Sequence, residues 1–396
     1  MKRIAILTLF HNSTNYGGNL QAYALCKALN RLGFDAQQLR IDCYADCYPL
    51  LSMSPSGFRF SRMIKRPIKR LAMRLLPSYR RRQTAIPHSR KPLLDAFHHF
   101  NYELTPHSNT VYTPASIHKS LAQYDGFVTG SDQVWNPRWY CPSMFLDFVP
   151  SGTPKLSYAA SIAQDQLPDW IADLFRKHLK DFTGVSVREE AAVALLEGIA
   201  PGPVSYVLDP TLLLSRQDWE QVCAPRQIEG DYVFCYFLGD DLPMRNTATA
   251  YAQAHGLKLV TIPNATGLAH TNDKDFGDIA LEAPSPEAFI SLIRHAEAVF
   301  TDSFHASVFS LIYQRQFFVF ARVGHKSMGS RLESLTELFQ VPERYCDSEE
   351  KTTAAYVEAL PPIDYSRPNE KLAAARQVSL DFLKTNLPNV VLSNES

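Results

Sequence analysis

The sequence predicts an α/β protein made of two similar-sized halves that face each other across a cleft. Three observations carry this reading. Short apolar runs alternate with segments of helical periodicity along most of the chain. The alternation is interrupted at VLDPTLLLS, residues 207–215, and then starts afresh. Polar loops follow the apolar runs, which is where parallel α/β sheets bind their ligands.

A first strand is expected within 3–9, where Ile4, Ile6, Leu7 and Leu9 form an apolar run. A helix follows from residue 20, with Leu20, Tyr23, Ala24 and Ala28 at helical spacing and Gly33 closing it. A strand over 36–41 completes a β-loop-α-β unit, which implies parallel strands joined by a right-handed crossover. A helical stretch around 93–100 comes next, then strands over 124–129, 156–161 and 184–187, the last running into a helix over 188–196. Beyond the interruption, strands are expected over 232–238, 257–262, 298–301 and 317–320. Helices are expected over 246–255, over 286–295 with Ser285 as cap, and over 305–313. A final helix over 369–384 is expected to cross back to the first half. The organisation is thus a first domain 1–210 with an insertion at 59–91, a second domain 211–368, and a helix and tail 369–396.

Composition excludes several classes. With 396 residues, 45 % of them hydrophobic, 17 Gly and 26 Pro, the chain is neither disordered nor collagen-like. No apolar run approaches the ~20 residues that span a bilayer. MKRIAILTLF has the flavour of a signal peptide, but it runs into His11-Asn12-Ser13 without a small-residue cleavage site, so a buried first strand is expected. Seven cysteines without a CxxC pair point to a reduced, cytoplasmic protein, and neither a zinc knuckle nor another metal site is expected. The 40 basic and 40 acidic residues cancel, yet 59–91 carries twelve basic residues and no acidic one, leaving an acidic remainder.

Four segments could carry chemistry. In Asn15-Tyr16-Gly17-Gly18-Asn19, two glycines beside a helix start suit an approaching anion, and they suit a tight structural turn equally. Gly130-Ser131-Asp132-Gln133-Val134-Trp135-Asn136 sets hydrogen-bonding side chains next to an aromatic. This is the combination used in sugar recognition, or else a capped loop with Trp135 packed beneath it. Arg188, where a strand meets a helix, is placed to clamp a carboxylate or phosphate, or to pair with Glu189 or Glu190. In Thr301-Asp302-Ser303-Phe304-His305, the imidazole sits in the first turn of a helix, where it serves either as a general acid or base or as a structural residue. Arg322, His325 and Lys326 follow the FFVF strand on the same edge.

Taken together, NYGGNLQAYAL, GSDQVWNP, SYAAS, SVRE, LDPTLLL and TDSFHASVF resemble the successive motifs of the polysaccharide pyruvyl transferases, in that family's order from about residue 3 to 330. The resemblance implies a GT-B-like fold of two Rossmann-like domains. It implies transfer of an enolpyruvyl unit from phosphoenolpyruvate to two hydroxyls of a sugar, with release of phosphate and no other cofactor. By position, His305 and Arg188 look like the catalytic pair. Lys326 or Arg322, with Gly17, Gly18 and Ser303, would hold the donor. Asn15, Tyr16, Asn19, Ser131, Asp132, Gln133 and Trp135 would hold the acceptor. Many members carry an Arg shortly before the histidine, where this chain has Asp302-Ser303-Phe304.

The basic insertion has its own signature. Phe60, Met63, Ile64, Pro67, Ile68, Leu71, Leu75 and Leu76 keep helical spacing, with Arg or Lys between them. A basic amphipathic stretch fits an anionic membrane surface, where a lipid-linked oligosaccharide acceptor would be met, or a helix docked on its own domain. Nucleic acid is not expected as a partner, because the aromatics are not interleaved as stacking platforms. Two rival functions remain: a glycosyltransferase with a nucleotide-sugar donor, for which Glu287 and Asp302 are the only candidate ribose-binding acids, and a non-catalytic glycan-binding protein.

Overall fold

The computed structural model describes residues 1–43, 46–65, 67–68, 71, 91–263, 270–322 and 329–387. Among the described residues, seven strands lie in the first half: β1 (Arg3–Leu7), β2 (Asp35–Ile41), β3 (His107–Tyr112), β4 (Gly126–Thr129), β5 (Lys155–Ser157), β6 (Val185–Val187) and β7 (Val204–Tyr206). Six of the described strands lie in the second: β8 (Tyr232–Tyr236), β9 (Lys258–Thr261), β10 (Ile279–Ala280), β11 (Ala298–Thr301), β12 (Gln316–Phe320) and β13 (Tyr345–Cys346). The longer helices are α1 (Tyr16–Arg31), α2 (Lys91–His99), α3 (Asp169–Leu179), α4 (Glu190–Leu196), α5 (Leu242–Ala254), α6 (Pro286–Arg294), α7 (Phe304–Tyr313), α8 (Ser330–Leu338) and α9 (Ser366–Asn386).

Every strand pairing is parallel. The first sheet runs β3-β2-β1-β4-β5, and the bridges Leu156↔Gly184 and Ala160↔Val187 attach the β6-β7 pair to it. The second runs β10-β9-β8-β11-β12-β13. In both, the strand order reverses beside the first strand, as in Rossmann-like sheets, so each half has a crevice at the carboxyl ends of its two central strands. Those crevices lie between the loops after β1 and β4 in one half, and after β8 and β11 in the other. The central strands are buried on both faces, which is why they read as continuous apolar runs rather than alternating ones.

The helix α1 (Tyr16–Arg31) begins four residues earlier than its apolar periodicity, because Asn15 caps it by accepting a hydrogen bond from the Gly18 amide at 3.0 Å. It ends where expected, at Gly33, whose φ is +88°. Its first turns lie against the second half. Tyr16 stacks on Phe289 at 4.5 Å, meets Tyr236 edge-on, and donates its hydroxyl to the Pro284 carbonyl at 2.7 Å. Leu20, Tyr23 and Ala24 join Trp219, Phe234 and Phe289 in one apolar cluster, so the halves share a core along α1 as well as facing each other.

The last helix, α9 (Ser366–Asn386), returns to the first half. Ser379 accepts from the Leu208 amide, Arg376 donates to the Leu212 carbonyl, and Leu383 and Leu387 pack with Ile4, Ile6 and Val128. The strand expected over 156–161 stops at Ser157, and the chain turns at Ala159 with a φ of +50°. Strand β3 and the helices α3 (Asp169–Leu179) and α8 (Ser330–Leu338) are not among the expected elements, although Ile171, Phe175 and Leu179 of α3 fall at helical spacing. No helix among the described residues is long and apolar enough to cross a membrane.

Part of the basic insertion is described. Ser54 caps a helix over Pro55–Phe60, which continues through Ser61–Lys65. Phe58 is buried against Tyr48, Tyr140 and Trp170. Phe60, Met63, Ile64, Ile68 and Leu71 instead stand in solvent, between 45 and 74 % exposed. Residues 66, 69–70 and 72–90 of that expectation lie outside the described residues.

Two histidines are held neutral by burial. His178 is pushed down to about 4 by burial and by the nearby charges of Arg62 and Lys177, and His11 to about 4 by burial and by Arg40. The unfolded chain titrates these groups near 6.5, so between pH 6.5 and 4 it binds protons that the folded chain refuses. Stability should therefore fall as the pH drops through that window. Melting temperature measured from pH 7 to 4 should decline by several degrees, and less steeply in the His11→Gln/His178→Gln variant. Equal slopes would refute the assignment.

Candidate functional site

The site forms where the two crevices meet, and its centre is Asp209. This residue opens the turn that ends the first half, and its carboxylate is fully buried. One oxygen accepts from the Thr211 amide at 3.0 Å and the Thr211 hydroxyl at 2.7 Å. The other accepts from Arg188 at 2.8 Å and Ser131 at 3.1 Å, and faces the His305 Nε2 at 3.5 Å. Burial disfavours the charged form of Asp209, but His305, Arg188 and the Thr211 amide outweigh it and hold the carboxyl well below the usual range. At 3.5 Å the His305 contact falls short of a formed hydrogen bond, and Nε2 has no hydrogen-bond partner.

Arg188 is fully buried and divided among carboxylates. It donates to Asp209 and, at 2.9 Å, to Asp132, and it approaches Glu189 at 3.6 Å. Its guanidinium also lies over the Phe304 ring at 4.6 Å. Burial works against the cation, yet Asp132, Asp209 and Glu189 prevail and raise its basicity further. The ion pair with Glu189 read from the sequence is present, but Asp132 and Asp209 are the stronger partners. Only Nε remains without a hydrogen bond. Arg188 therefore ties the loop after β4 to Asp209 and is a positioning residue in this arrangement, not an open clamp.

His305 lies in the first turn of α7 (Phe304–Tyr313), which Ser303 caps. Gly17, in the first turn of α1, lies flat against its ring: a Cβ built there would fall 1.9 Å from Nδ1. Two helix N-termini, from opposite halves, thus converge on the imidazole, and both favour negative charge in the space between them. Gly18 is less crowded, its nearest neighbour being an Asp132 oxygen at 3.5 Å from a built Cβ. Gly130 is confined by backbone, with a φ of +119° and the Tyr158 carbonyl 2.1 Å from any Cβ, so only glycine lets the Ser131-Asp132 loop turn here.

Arg331, in α8, was missed by the sequence reading because nothing near it repeats a recognisable pattern. It is buried, feels Arg188 as a repelling charge and Glu189 and Asp132 as attracting ones, and has an unpartnered Nε. Burial and Arg188 together push it down to about 10. Glu189 is in turn raised by burial, against the pull of Arg188 and Arg331, and accepts from the Ser161 hydroxyl.

Arg322 and Arg331 share the wall of a cavity of about 750 Å³ at the carboxyl ends of the second sheet, with Asp302, Glu333, Tyr345 and Asp347. Arg322 donates from Nε to Asp302 at 2.7 Å and from a terminal nitrogen to the Asp302 carbonyl at 3.0 Å. Asp302 also accepts from the Leu238 and Gly239 amides, closing the crevice between β8 and β11. His325 and Lys326 lie outside the described residues.

The remaining expected residues are placed less openly. Tyr16 and Trp135 are buried, and Trp135 stacks on Phe145 and donates to the Met144 carbonyl, the packed alternative that the sequence allowed. Asn19 is buried and donates to the Ser13 and Asn15 carbonyls. Ser131 donates to Ala159 and Asp209, and Gln133 accepts from Asn136. Of the residues expected to bind an acceptor, Asn15 is exposed, its side chain capping α1, and Asp132 and Gln133 keep partly exposed surface. Away from this site, Cys43, Cys47 and Cys141 come together, although the sequence separates Cys141 from the other two and no metal-binding group was expected there.

Gly17→Ala drives a methyl into the His305 ring and should destabilise the protein by about 1–3 kcal/mol. Gly18→Ala should stay within about 0.5 kcal/mol of the parent. Denaturant unfolding of the two variants compares them directly, and equal stability would contradict the close approach of α1 to His305.

The sequence profile described as polysaccharide pyruvyl transferase matches residues 15–323. No curated protein matches the chain. Among solved structures, the UDP-GlcNAc 2-epimerase of Methanocaldococcus jannaschii is 11 % identical, with a TM-score of 0.49 over 96 % of this chain and 99 % of that one. A UDP-GlcNAc 2-epimerase of Neisseria meningitidis bound to UDP-GlcNAc is 12 % identical, with a TM-score of 0.44 over 98 % and 100 %. An O-GlcNAc transferase mutant of Thermobaculum terrenum is 10 % identical, with a TM-score of 0.44 over 97 % of this chain and 66 % of that one. The profile spans most of the chain and includes the segments that carry Gly17, Asp132, Arg188, Asp209 and His305, and the protein therefore belongs to the polysaccharide pyruvyl transferase family.

Proposed function

We propose that the protein transfers the enolpyruvyl unit of phosphoenolpyruvate to two hydroxyls of a sugar in a surface polysaccharide or its lipid-linked precursor. The observation that carries this reading is His305 facing a buried carboxylate, Asp209, beside two buried arginines, Arg188 and Arg331, whose Nε groups lack hydrogen-bond partners. A donor with a carboxylate and a phosphate suits the unspent Nε–H of Arg331 and the two helix N-termini beside it, while Arg188, held by Asp132, Asp209 and Glu189, keeps the site in place. Arg331 and Arg322 are the described cations on the cavity wall, and Lys326 is the further candidate for the same role.

In this scheme His305 carries a proton to the methylene carbon of the donor, leaving a cationic C2. Asp209 holds the ring and offsets its charge. A sugar hydroxyl attacks C2 and loses its proton, the bond from C2 to the phosphate oxygen breaks, and the second hydroxyl closes the ketal. Of the two hydroxyl protons, one replaces the proton given to the new methyl group and the other leaves with phosphate.

The rival nucleotide-sugar reading is weakened by the state of its two candidate ribose ligands. Glu287 is engaged by His99 at 2.7 Å, and Asp302 is filled by two amides and Arg322. The decisive assay supplies phosphoenolpyruvate and a panel of lipid-linked sugars and follows phosphate release. Turnover should fall by at least about a hundredfold in His305→Asn with the circular dichroism spectrum unchanged. Release of a nucleoside diphosphate from a nucleotide-sugar would favour the rival, and glycan binding without turnover would favour a non-catalytic role.

We also propose that the insertion seats the enzyme on an anionic membrane at the cytoplasmic face, where such acceptors are held. The five exposed apolar side chains between Phe60 and Leu71, set in a segment with twelve basic residues and no acidic one, support this. Flotation with vesicles containing phosphatidylserine should carry the wild type and not a variant with Arg59, Arg62, Lys65, Arg66, Lys69 and Arg70 changed to Gln. Equal recovery of both on neutral and anionic vesicles would count against it.

A further inference from the structure

The three sulfur atoms of Cys43, Cys47 and Cys141 lie within 4.8 Å of one another, and no disulfide joins them. Cys43 follows β2, Cys47 lies in the next turn, and Cys141 comes from the segment beyond the loop that carries Asp132. The two segments are fixed against each other by the antiparallel bridge Tyr48↔Tyr140, whose Tyr48 amide donates to the Tyr140 carbonyl at 2.8 Å. Cys43 and Cys141 are buried, each 1 % exposed, and Cys47 is half-buried. The surroundings are apolar and aromatic, with Tyr48, Tyr140, Met144 and Phe145 in the same cluster.

Buried cysteines commonly act as small hydrophobes. Here, however, three of them from two chain segments turn sulfur to sulfur. Metal–sulfur bonds of about 2.3 Å put tetrahedral ligand sulfurs roughly 3.8 Å apart, so these three close on one ion with shifts of under about 1 Å.

We propose that Cys43, Cys47 and Cys141 bind a thiophilic d10 cation, zinc(II) or copper(I), through three thiolates. No carboxylate or imidazole among the described residues joins the group, which disfavours magnesium, calcium and manganese. Loading breaks three S–H bonds, forms three metal–sulfur bonds and releases three protons to solvent. Copper(I) is satisfied by three sulfurs, whereas zinc(II) takes a water on the half-buried Cys47 side. Either ion would pin the segment after β2 to the segment after Trp139, and so steady the loop that presents Asp132 to Arg188.

The test is elemental analysis of the full-length protein purified under reducing conditions without chelator, followed by cobalt(II) titration of the stripped protein. One zinc or one copper per chain is expected, the element deciding between the two sources. A thiolate-to-cobalt charge-transfer band should appear at one equivalent. Both signals should vanish in Cys47→Ser, which leaves the two buried thiols in place, and persist in Cys223→Ser. Absence of both retained metal and the cobalt band in the wild type would overturn the proposal. So would equal metal content in wild type and Cys47→Ser, or a disulfide within the trio.

Discussion

The carboxylate of Asp209 is the point on which the arrangement turns. It takes hydrogen bonds from Thr211 behind it and from Ser131 and Arg188 in the first half, and it faces His305 from the second. A carboxylate buried this deeply is tolerable only when its charge is answered from several sides, and removing one partner of such a cluster typically costs about 3–5 kcal/mol. Because its partners come from both halves, the electrostatic demand of one side chain fixes how the loop after β4, the α7 N-terminus and Arg188 stand relative to one another.

The same geometry explains the balance of charge at the junction. The N-termini of α1 and α7 point at a common space, and Arg188 and Arg331 are buried beside it. Left alone, that concentration of positive potential would repel itself. Asp132, Glu189 and Asp209 offset it in the resting structure. The Nε of Arg188 faces Glu189 at 3.6 Å, so the unspent guanidinium donor at the junction is the Nε of Arg331, and an anionic donor would find it already oriented rather than having to order a flexible side chain.

Much of this was legible in the sequence, for a physical reason. Parallel strands buried on both faces leave unbroken apolar runs, and residues such as Ser285 mark helix starts, so β1, β8, β11, the helix that Ser285 caps and α7 could be located closely, whereas α1 and the helix after β8 begin four residues before their expected starts. His305 and Arg188 stood out because each falls at a strand end beside a helix start. Asp209 did not, since a carboxylate before proline looks like an ordinary turn and its partners are distant in sequence. Arg331 and the meeting of Cys141 with Cys43 and Cys47 were hidden for the same reason. Trp135 was ambiguous, because an aromatic after a polar loop has the same local pattern whether it stacks on a sugar or, as here, on Phe145.

If the unspent donors around Asp209 are the donor site, calorimetric titration with phosphoenolpyruvate tests that claim most directly. One donor molecule should bind per chain. A charged hydrogen bond is worth about 1.5–3 kcal/mol, so Arg331→Gln should weaken binding by roughly tenfold or more. Wild-type affinity in that variant would contradict the account.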